Sequence, residues 1–178
     1  SPYISVDGSW DDYLSSLTKS FRKKLKRATK KFEEAGSSSH QEIVNWPEAQ
    51  VFFEHMINIE KRSWKESNGS SISQHKKQEA FYREFLKIAS QNGSFRGQLL
   101  KLNDEPIAYT YGAVFNGTYI DFKGTFVESY RHLSPGFILD KIKFERMFNQ
   151  GLKYYDFMGN CDDYKMRWAK ETYERSTY

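Results

Sequence analysis

From Trp10 onward the apolar residues recur in steps of three and four, at Trp10, Leu14, Leu17, Phe21, Leu25, Ala28, Phe32 and Ala35, with polar residues between them. That spacing predicts an amphipathic helical segment over 10–36, closed by Gly36. It leaves open whether the segment is one helix or two broken near Thr18-Lys19-Ser20. "GSSSH" at 36–40 reads as a loop and "QEIV" as a short strand. Pro47 opens a second helix through about Trp64, with Phe53, Ile57, Glu60 and Trp64 in one row and Phe52, Met56 and Ile59 beside it. "ESNGSSIS", the most linker-like stretch, is expected to be an exposed loop. A third helix over about 74–91 puts Phe81, Phe85 and Ile88 in register and stops at Asn92-Gly93.

The period then changes to two. Residues 95–102, 106–115 and 118–126 read as three strands, separated by "NDEP" and by the hairpin signal Asn116-Gly117, and so form an antiparallel meander. A helix from Ser134 to about Gln150 follows, with Gly151 as its stop, and then a short strand, "KYYDFM". Strand, helix and strand make a crossover, so strands 118–126 and 153–158 should lie parallel with a right-handed connection. The fold class is α/β in the mixed-sheet (α+β) sense, with helices on both faces, over a single domain of residues 1–178.

Composition changes this picture in three respects. No run approaches the roughly 18 consecutive apolar residues of a membrane-spanning helix, and there is no signal-peptide pattern. A single cysteine, Cys161, excludes a disulfide framework and fits a reducing compartment, so a cytoplasmic protein is expected. Of 27 lysines and arginines, eight lie within "KSFRKKLKRATKK" at 19–31, without one acid; the rest of the chain is net acidic. Any acidic partner should therefore meet the basic helix.

The stretch "YRHLSPGFIL" at 130–139 carries the most chemistry. Ser134 is a preferred N-cap, Pro135 is favoured at the first helical position, and Gly136 lets a ligand approach the backbone. The amides of Gly136 and Phe137 are expected to lack intrahelical partners at the positive end of the helix dipole, with Arg131 and His132 just upstream, so the loop suits a phosphate. An ordinary capped helix is the alternative. The stretch is neither a Walker A loop nor a dinucleotide fingerprint. A pyrophosphate held without a metal fits coenzyme A. His40, His55, His75 and His132 have no metal-type spacing, and Asp162 and Asp163 oppose a thiolate at Cys161.

This layout, together with Arg-x-x-Ser-Pro-Gly and "YDFMGNCDDYKMRW" at 155–168, resembles the GNAT acetyltransferase superfamily along essentially the whole chain. Within it the chain resembles the CelD-like cellulose-biosynthesis branch, related to the Fem-type peptidyl transferases. The resemblance implies a coenzyme A pyrophosphate loop in which Arg131, Ser134 and Gly136 stand where the superfamily has Arg/Gln-x-x-Gly-x-Gly/Ala. It implies parallel strands that splay around the acyl group of acetyl-CoA or another acyl-CoA. It also implies N-acyl transfer to a small-molecule or glycan amine or hydroxyl, in envelope polysaccharide or lipid metabolism. Members of the branch are often about twice this length, so the chain is expected to match the second half of a tandem protein.

Acyl transfer needs a base for the nucleophile, polarisation of the carbonyl and a proton for the leaving thiolate. Strand alternation places Tyr119, Asp121 and Lys123 on one face as substrate-binding candidates, and Tyr154 and Asp156 on one face of the next strand. Asp156 is the candidate base or amine anchor, and alternatively a loop cap or an ion-pair partner of Lys165 or Arg167. Tyr154 or Tyr155 is the candidate proton donor. Lys165, matching the lysine of the branch's Tyr-Lys motif, is a candidate for a substrate phosphate or carboxylate, or forms a salt bridge. The basic helix reads as a solvated face over a core stripe, as a dock for an acidic carrier protein, or as a site for the phosphates of an aminoacyl-tRNA, with Lys23, Lys24 and Arg27 as its contacts. A non-catalytic half-domain binding an acidic partner through 19–31 is the remaining alternative.

Overall fold

A computed structural model of the protein describes residues 1–174. The elements in chain order are β1 (Pro2–Ser5), α1 (Trp10–Ser16), α2 (Lys19–Glu34), β2 (Ser38–Ile43), α3 (Trp46–Lys61), α4 (Trp64–Ser67), a 3-10 turn (Ile72–Gln74) and α5 (Lys76–Gln91). They continue with β3 (Phe95–Leu102), β4 (Glu105–Phe115), β5 (Thr118–Phe126), a second 3-10 turn (Glu128–Leu133), α6 (Pro135–Gln150), β6 (Tyr154–Asp156), α7 (Asp163–Met166) and β7 (Glu171–Thr172).

Local signals explain most of these boundaries. The stripe from Trp10 to Ala35 is two helices, because Leu17 is extended and Thr18 caps α2 by accepting from the Phe21 amide at 3.2 Å. Ser9 and Asp12 form a capping box at the start of α1. The β3–β4 and β4–β5 turns have positive φ at both central residues, Asn103-Asp104 and Asn116-Gly117, as hairpin turns of the primed type require.

The sheet has seven strands in the order β2-β3-β4-β5-β6-β1-β7, antiparallel throughout except between β5 and β6. It is therefore mixed, with the expected meander and crossover. One face is covered by α3 and α5 over Phe52, Phe53, Met56, Leu86, Phe95, Tyr109 and Tyr111. The other is covered by α1, α2 and α6, where Phe21, Leu25, Phe144 and Trp168 pack against Tyr119 and Tyr155. The eight basic residues of α2 are all exposed above its buried Phe21, Leu25 and Phe32. No helix among the described residues is long and apolar enough to cross a membrane.

Three expectations need correction. Ser38–His40 belongs to strand β2, paired residue by residue with β3; as an edge strand it is largely exposed and needs no apolar alternation. "ESNGSSIS" is not simply an exposed loop, because Ser71 and Ile72 are fully buried. On α5 the row facing the core is Tyr82, Leu86 and Ala89, while Phe81 and Ile88 are 63% and 54% exposed. Apolar spacing offered two adjacent faces of that helix, and packing selected the one with the smaller side chains.

Candidate active site

Strands β5 and β6 pair only over Thr118–Ile120 and Tyr154–Asp156. Beyond Ile120, β5 runs on to Phe126, whereas the chain after Asp156 turns away through Met158 and Gly159, both with positive φ. A β-bulge adds to the divergence: Tyr111 pairs with Lys123 and Gly112 with Asp121, leaving Phe122 as the extra residue. Gly112 is required opposite it, since a Cβ there would overlap the Ile120 carbonyl oxygen. The result is a slot of about 310 Å³ between the diverging strands, lined by Lys65, Asp121, Lys123, Gly124, Met158 and Tyr164 among others. Along this part of β5 no strand among the described residues pairs on the slot side, so main-chain groups there are open to a ligand.

The bulge also separates residues that simple alternation puts together. Tyr119 and Asp121 lie on the α6 face, whereas Lys123 turns to the α3/α5 face, its ammonium 5.0 Å from the Tyr82 ring. Asp121 accepts from Thr110 Oγ1 at 2.9 Å and lies 3.7 Å from Lys143 Nζ. Lys143 is buried; it donates to Tyr155 Oη at 2.6 Å and pairs with Asp140 at 3.1 Å. Burial pushes the Asp140 carboxyl up.

On the other face Glu60 is completely buried. Its Oε1 accepts from Lys65 Nζ at 3.0 Å and from Tyr109 Oη at 2.5 Å, and lies 3.3 Å from Lys123 Nζ; its Oε2 accepts from the Ile72 amide at 2.6 Å. Burial alone would raise this carboxyl, but Lys65, the Ile72 amide, Tyr109 and Lys123 outweigh it and hold it below the usual range. Burial, followed by the charge of Lys123, lowers Lys65 to about 8, with Glu60 acting in the opposite sense.

At the C-terminal end of β5 the Ser-Pro-Gly loop starts α6, and a Cβ on Gly136 would meet the Phe126 ring at 3.4 Å, an ordinary contact. Ser134 occupies the N-cap position with φ 55° and ψ 49°, but its hydroxyl makes no cap bond; its carbonyl accepts from the amides of Phe137 and Ile138 at 3.0 and 3.2 Å. The Gly136 amide and the Ser134 hydroxyl have no hydrogen-bond partner among the described residues. The loop therefore keeps one of the two expected free amides. Apart from the two hairpin turns, Ser134 and Met158 are the non-glycine residues with positive φ among those described; Met158 lines the slot and Ser134 precedes α6.

Other candidates sit elsewhere. Arg131 does not reach toward Gly136: its guanidinium makes a two-pronged contact with Glu128, at 2.5 and 3.0 Å, and lies over Phe126. His132 Nδ1 is 3.0 Å from the Ser129 carbonyl oxygen. Phe137 packs its ring between Phe21 and Trp168. Tyr155 and Tyr119 are core residues stacked 5.2 Å apart, their phenols pushed well above the ordinary value of 10 by burial, and neither lines the slot. Tyr154 lies half-exposed against Tyr3. Asp156 takes hydrogen bonds from Ser1 Oγ at 2.8 Å, from the Met158 amide at 2.9 Å and from the Tyr173 hydroxyl, and so ties β1 and the loop after β6 together. Lys165 does line the slot, but its ammonium is spent on the Met158 and Asn160 carbonyl oxygens and on Asp162.

Sequence reasoning missed Lys65, Lys143, Asp140 and the role of Glu60. A signal was present for two of them: Glu60 shares a row with Phe53 and Ile57, and Lys143 interrupts the apolar run of α6. Tyr164, half-exposed at the slot, was passed over in favour of the tyrosines of β6. Burial, then the charges of Asp121, Asp140 and Asp162, raise its phenol, so it keeps its proton.

The mixed sheet thus has one parallel pair, β5 and β6, that splays around a slot and is connected through α6. The chain belongs to the GNAT family: the family model for the acetyltransferase (GNAT) domain matches residues 19–166. No curated protein sequence matches it. Among solved structures it is similar to FemX, with 13% identity and a TM-score of 0.62 over 91% of this chain and 53% of that one. It is similar to L-PGS from Bacillus licheniformis, with 12% identity and a TM-score of 0.55 over 90% and 46% of the two chains. It is also similar to AAC(6')-Iy, solved in complex with the bisubstrate analogue CoA-S-monomethyl-acetylneamine, with 11% identity and a TM-score of 0.51 over 80% and 97%. The chain thus spans about half the length of FemX and L-PGS and nearly the whole of AAC(6')-Iy.

Proposed function

We propose that this domain transfers an acyl group from coenzyme A to an amine inside the slot. The observation that carries the reading is the slot between β5 and β6; the Gly136 amide and Ser134 hydroxyl, without partners among the described residues, start the helix that follows β5. These groups, at a helix N-terminus with room above Gly136, suit the donor's pyrophosphate. The thioester then lies along β5, whose free main-chain donors polarise its carbonyl. The amine nitrogen forms the C–N bond as the C–S bond breaks; Asp121, the acid lining the slot, takes the amine proton, and Tyr164 gives its proton to the departing thiolate. Asp156 and Tyr154, Tyr155 leave these roles to Asp121 and Tyr164 because of their positions. Arg131 and His132 serve the donor only after leaving Glu128 and Ser129.

A second reading has a specific observation behind it. Lys31 of the basic helix donates to the His132 carbonyl oxygen, so that helix borders the same loop. An acyl donor carried on a tRNA would then meet Lys23, Lys24 and Arg27 while its ester enters the slot. Calorimetric titration with acetyl-CoA decides between them. Binding that is lost in Gly136→Glu and survives charge reversal at Lys23, Lys24 and Arg27 supports coenzyme A. Silence with acetyl-CoA and free coenzyme A, with nuclease-sensitive binding of aminoacyl-tRNA, overturns it in favour of the second reading.

A further inference from the structure

We propose that the acceptor is a free amino acid, an amine that carries its own carboxylate, recognised by Lys65 and Lys123 on one wall of the slot and by Asp121 on the other. The inference rests on the reading of the slot as the acyl-transfer site.

The Lys65 and Lys123 ammonium groups both lie within 3.3 Å of the same oxygen of Glu60, so they are neighbours, and both side chains line the slot. Their side chains are 8% and 15% exposed, so two cations stand nearly out of water against a single carboxylate. An ammonium offers three donors, and among the described residues each makes one polar contact, the one with Glu60. Glu60 has little left to offer, since Tyr109 and the Ile72 amide occupy it as well. The lysine heads are steadied instead by rings, Lys65 at 5.8 Å from Tyr109 and Lys123 at 5.0 Å from Tyr82. Two lysines and one glutamate leave a surplus of one positive charge. A carboxylate monoanion matches that surplus, and a phosphate dianion exceeds it.

Asp121 completes the pattern. The bulge at Phe122 turns Lys123 to one face of the sheet and Asp121 to the other, and the slot between β5 and β6 is open to both. A zwitterion therefore finds a cationic wall for its carboxylate and an anionic wall for its ammonium. The latter is also the group to which the amine proton goes on acyl transfer. Lys165, with its three contacts to Met158, Asn160 and Asp162, adds no donor to either wall.

The experiment is saturation-transfer NMR on the full chain with a panel of the protein amino acids, their carboxamides and phosphoethanolamine, run beside acetyl-CoA calorimetry. At least one amino acid should bind about tenfold or more tightly than its carboxamide. That ratio should collapse toward one in Lys123→Met and return in Lys123→Arg, with thermal melts establishing that both variants fold. No binding by any amino acid, equal binding of carboxamides, tighter binding of phosphoethanolamine, or an unchanged ratio in Lys123→Met would each overturn the proposal. Absence of acetyl-CoA binding would count against coenzyme A as donor and leave the binding comparison standing, so the two failures are told apart.

Discussion

Lys31 Nζ lies 2.9 Å from the His132 carbonyl oxygen, a bond that joins residues 101 positions apart. It fastens the basic helix to the turn that precedes Ser134. Along the same contact, Phe21 packs edge-on against Phe137 and the Lys24 ammonium lies 6.0 Å from that ring. The helix is thus packed against the Ser-Pro-Gly loop as well as being a charged surface.

Removing this tie should loosen the loop without unfolding the domain. Lys31→Met is expected to weaken donor binding about three- to tenfold, the net worth of one ordinary hydrogen bond as suits an exposed lysine, with little change in melting temperature. Titration calorimetry reads the first effect and hydrogen exchange at residues 131–137 the second. An unaltered affinity together with unaltered exchange would show the bond to be incidental.

Glu60→Gln leaves Lys65 and Lys123 facing each other without a countercharge, and should cost about 3 kcal/mol of stability in urea. The acid limb carries the same information. Because the Glu60 carboxyl is held below its usual range, its contribution is complete above an unfolded value of about 4.3 and is lost as pH falls through the lower folded value. Stability of the unsubstituted protein should therefore fall more steeply below about pH 4 than that of Glu60→Gln.

Lys65 works in the opposite direction on the alkaline side. Its folded value near 8 lies below an unfolded value of about 10.4, so between those limits the unfolded chain binds more protons and stability rises with pH. The urea midpoint difference between the unsubstituted protein and Lys65→Met should shift toward the former from pH 7.5 to 9.5. Parallel pH profiles for the two would remove Lys65 as a group with a lowered value.

Lys143→Met strands Asp140 and Asp121 beside one another and takes the donor from Tyr155. A loss of about 3–5 kcal/mol is expected, within the range for breaking a buried ion pair from one side. Asp140→Asn in the same background should recover part of it. If the double variant is no more stable than the single, the pairing energy lies elsewhere.

Gly112→Ala tests the bulge. The added methyl meets the Ile120 carbonyl oxygen, so β4 and β5 must separate or re-register, at a cost of about 1–3 kcal/mol. Re-registering would also bring Asp121 and Lys123 to one face, and the chemical shifts of both should move. A variant as stable as the parent would mean that the bulge tolerates a side chain.

The fold's outline was legible because its signals are local. A three-four stripe, two primed hairpin turns, Pro47, and Ser-Pro-Gly followed by Gly151 each depend on a few adjacent residues, and the meander and the parallel crossover follow from them. The start of α6 at Ser-Pro-Gly was legible for the same reason, down to the Gly136 amide without a partner among the described residues. Tertiary structure decided the rest. Strands β1 and β7 join the sheet beyond β6 by pairings about 150 residues apart or more, which no pattern in "PYIS" announces. A single unpaired residue, Phe122, reversed the face of Lys123, because alternation counts residues and a bulge inserts one. Glu60 acquired its partners from α4, from the first 3-10 turn, from β4 and from β5, and a buried charge is stable only where such partners converge. The sequence by itself determined the elements and the class; which charges face each other across the slot was set by long-range packing.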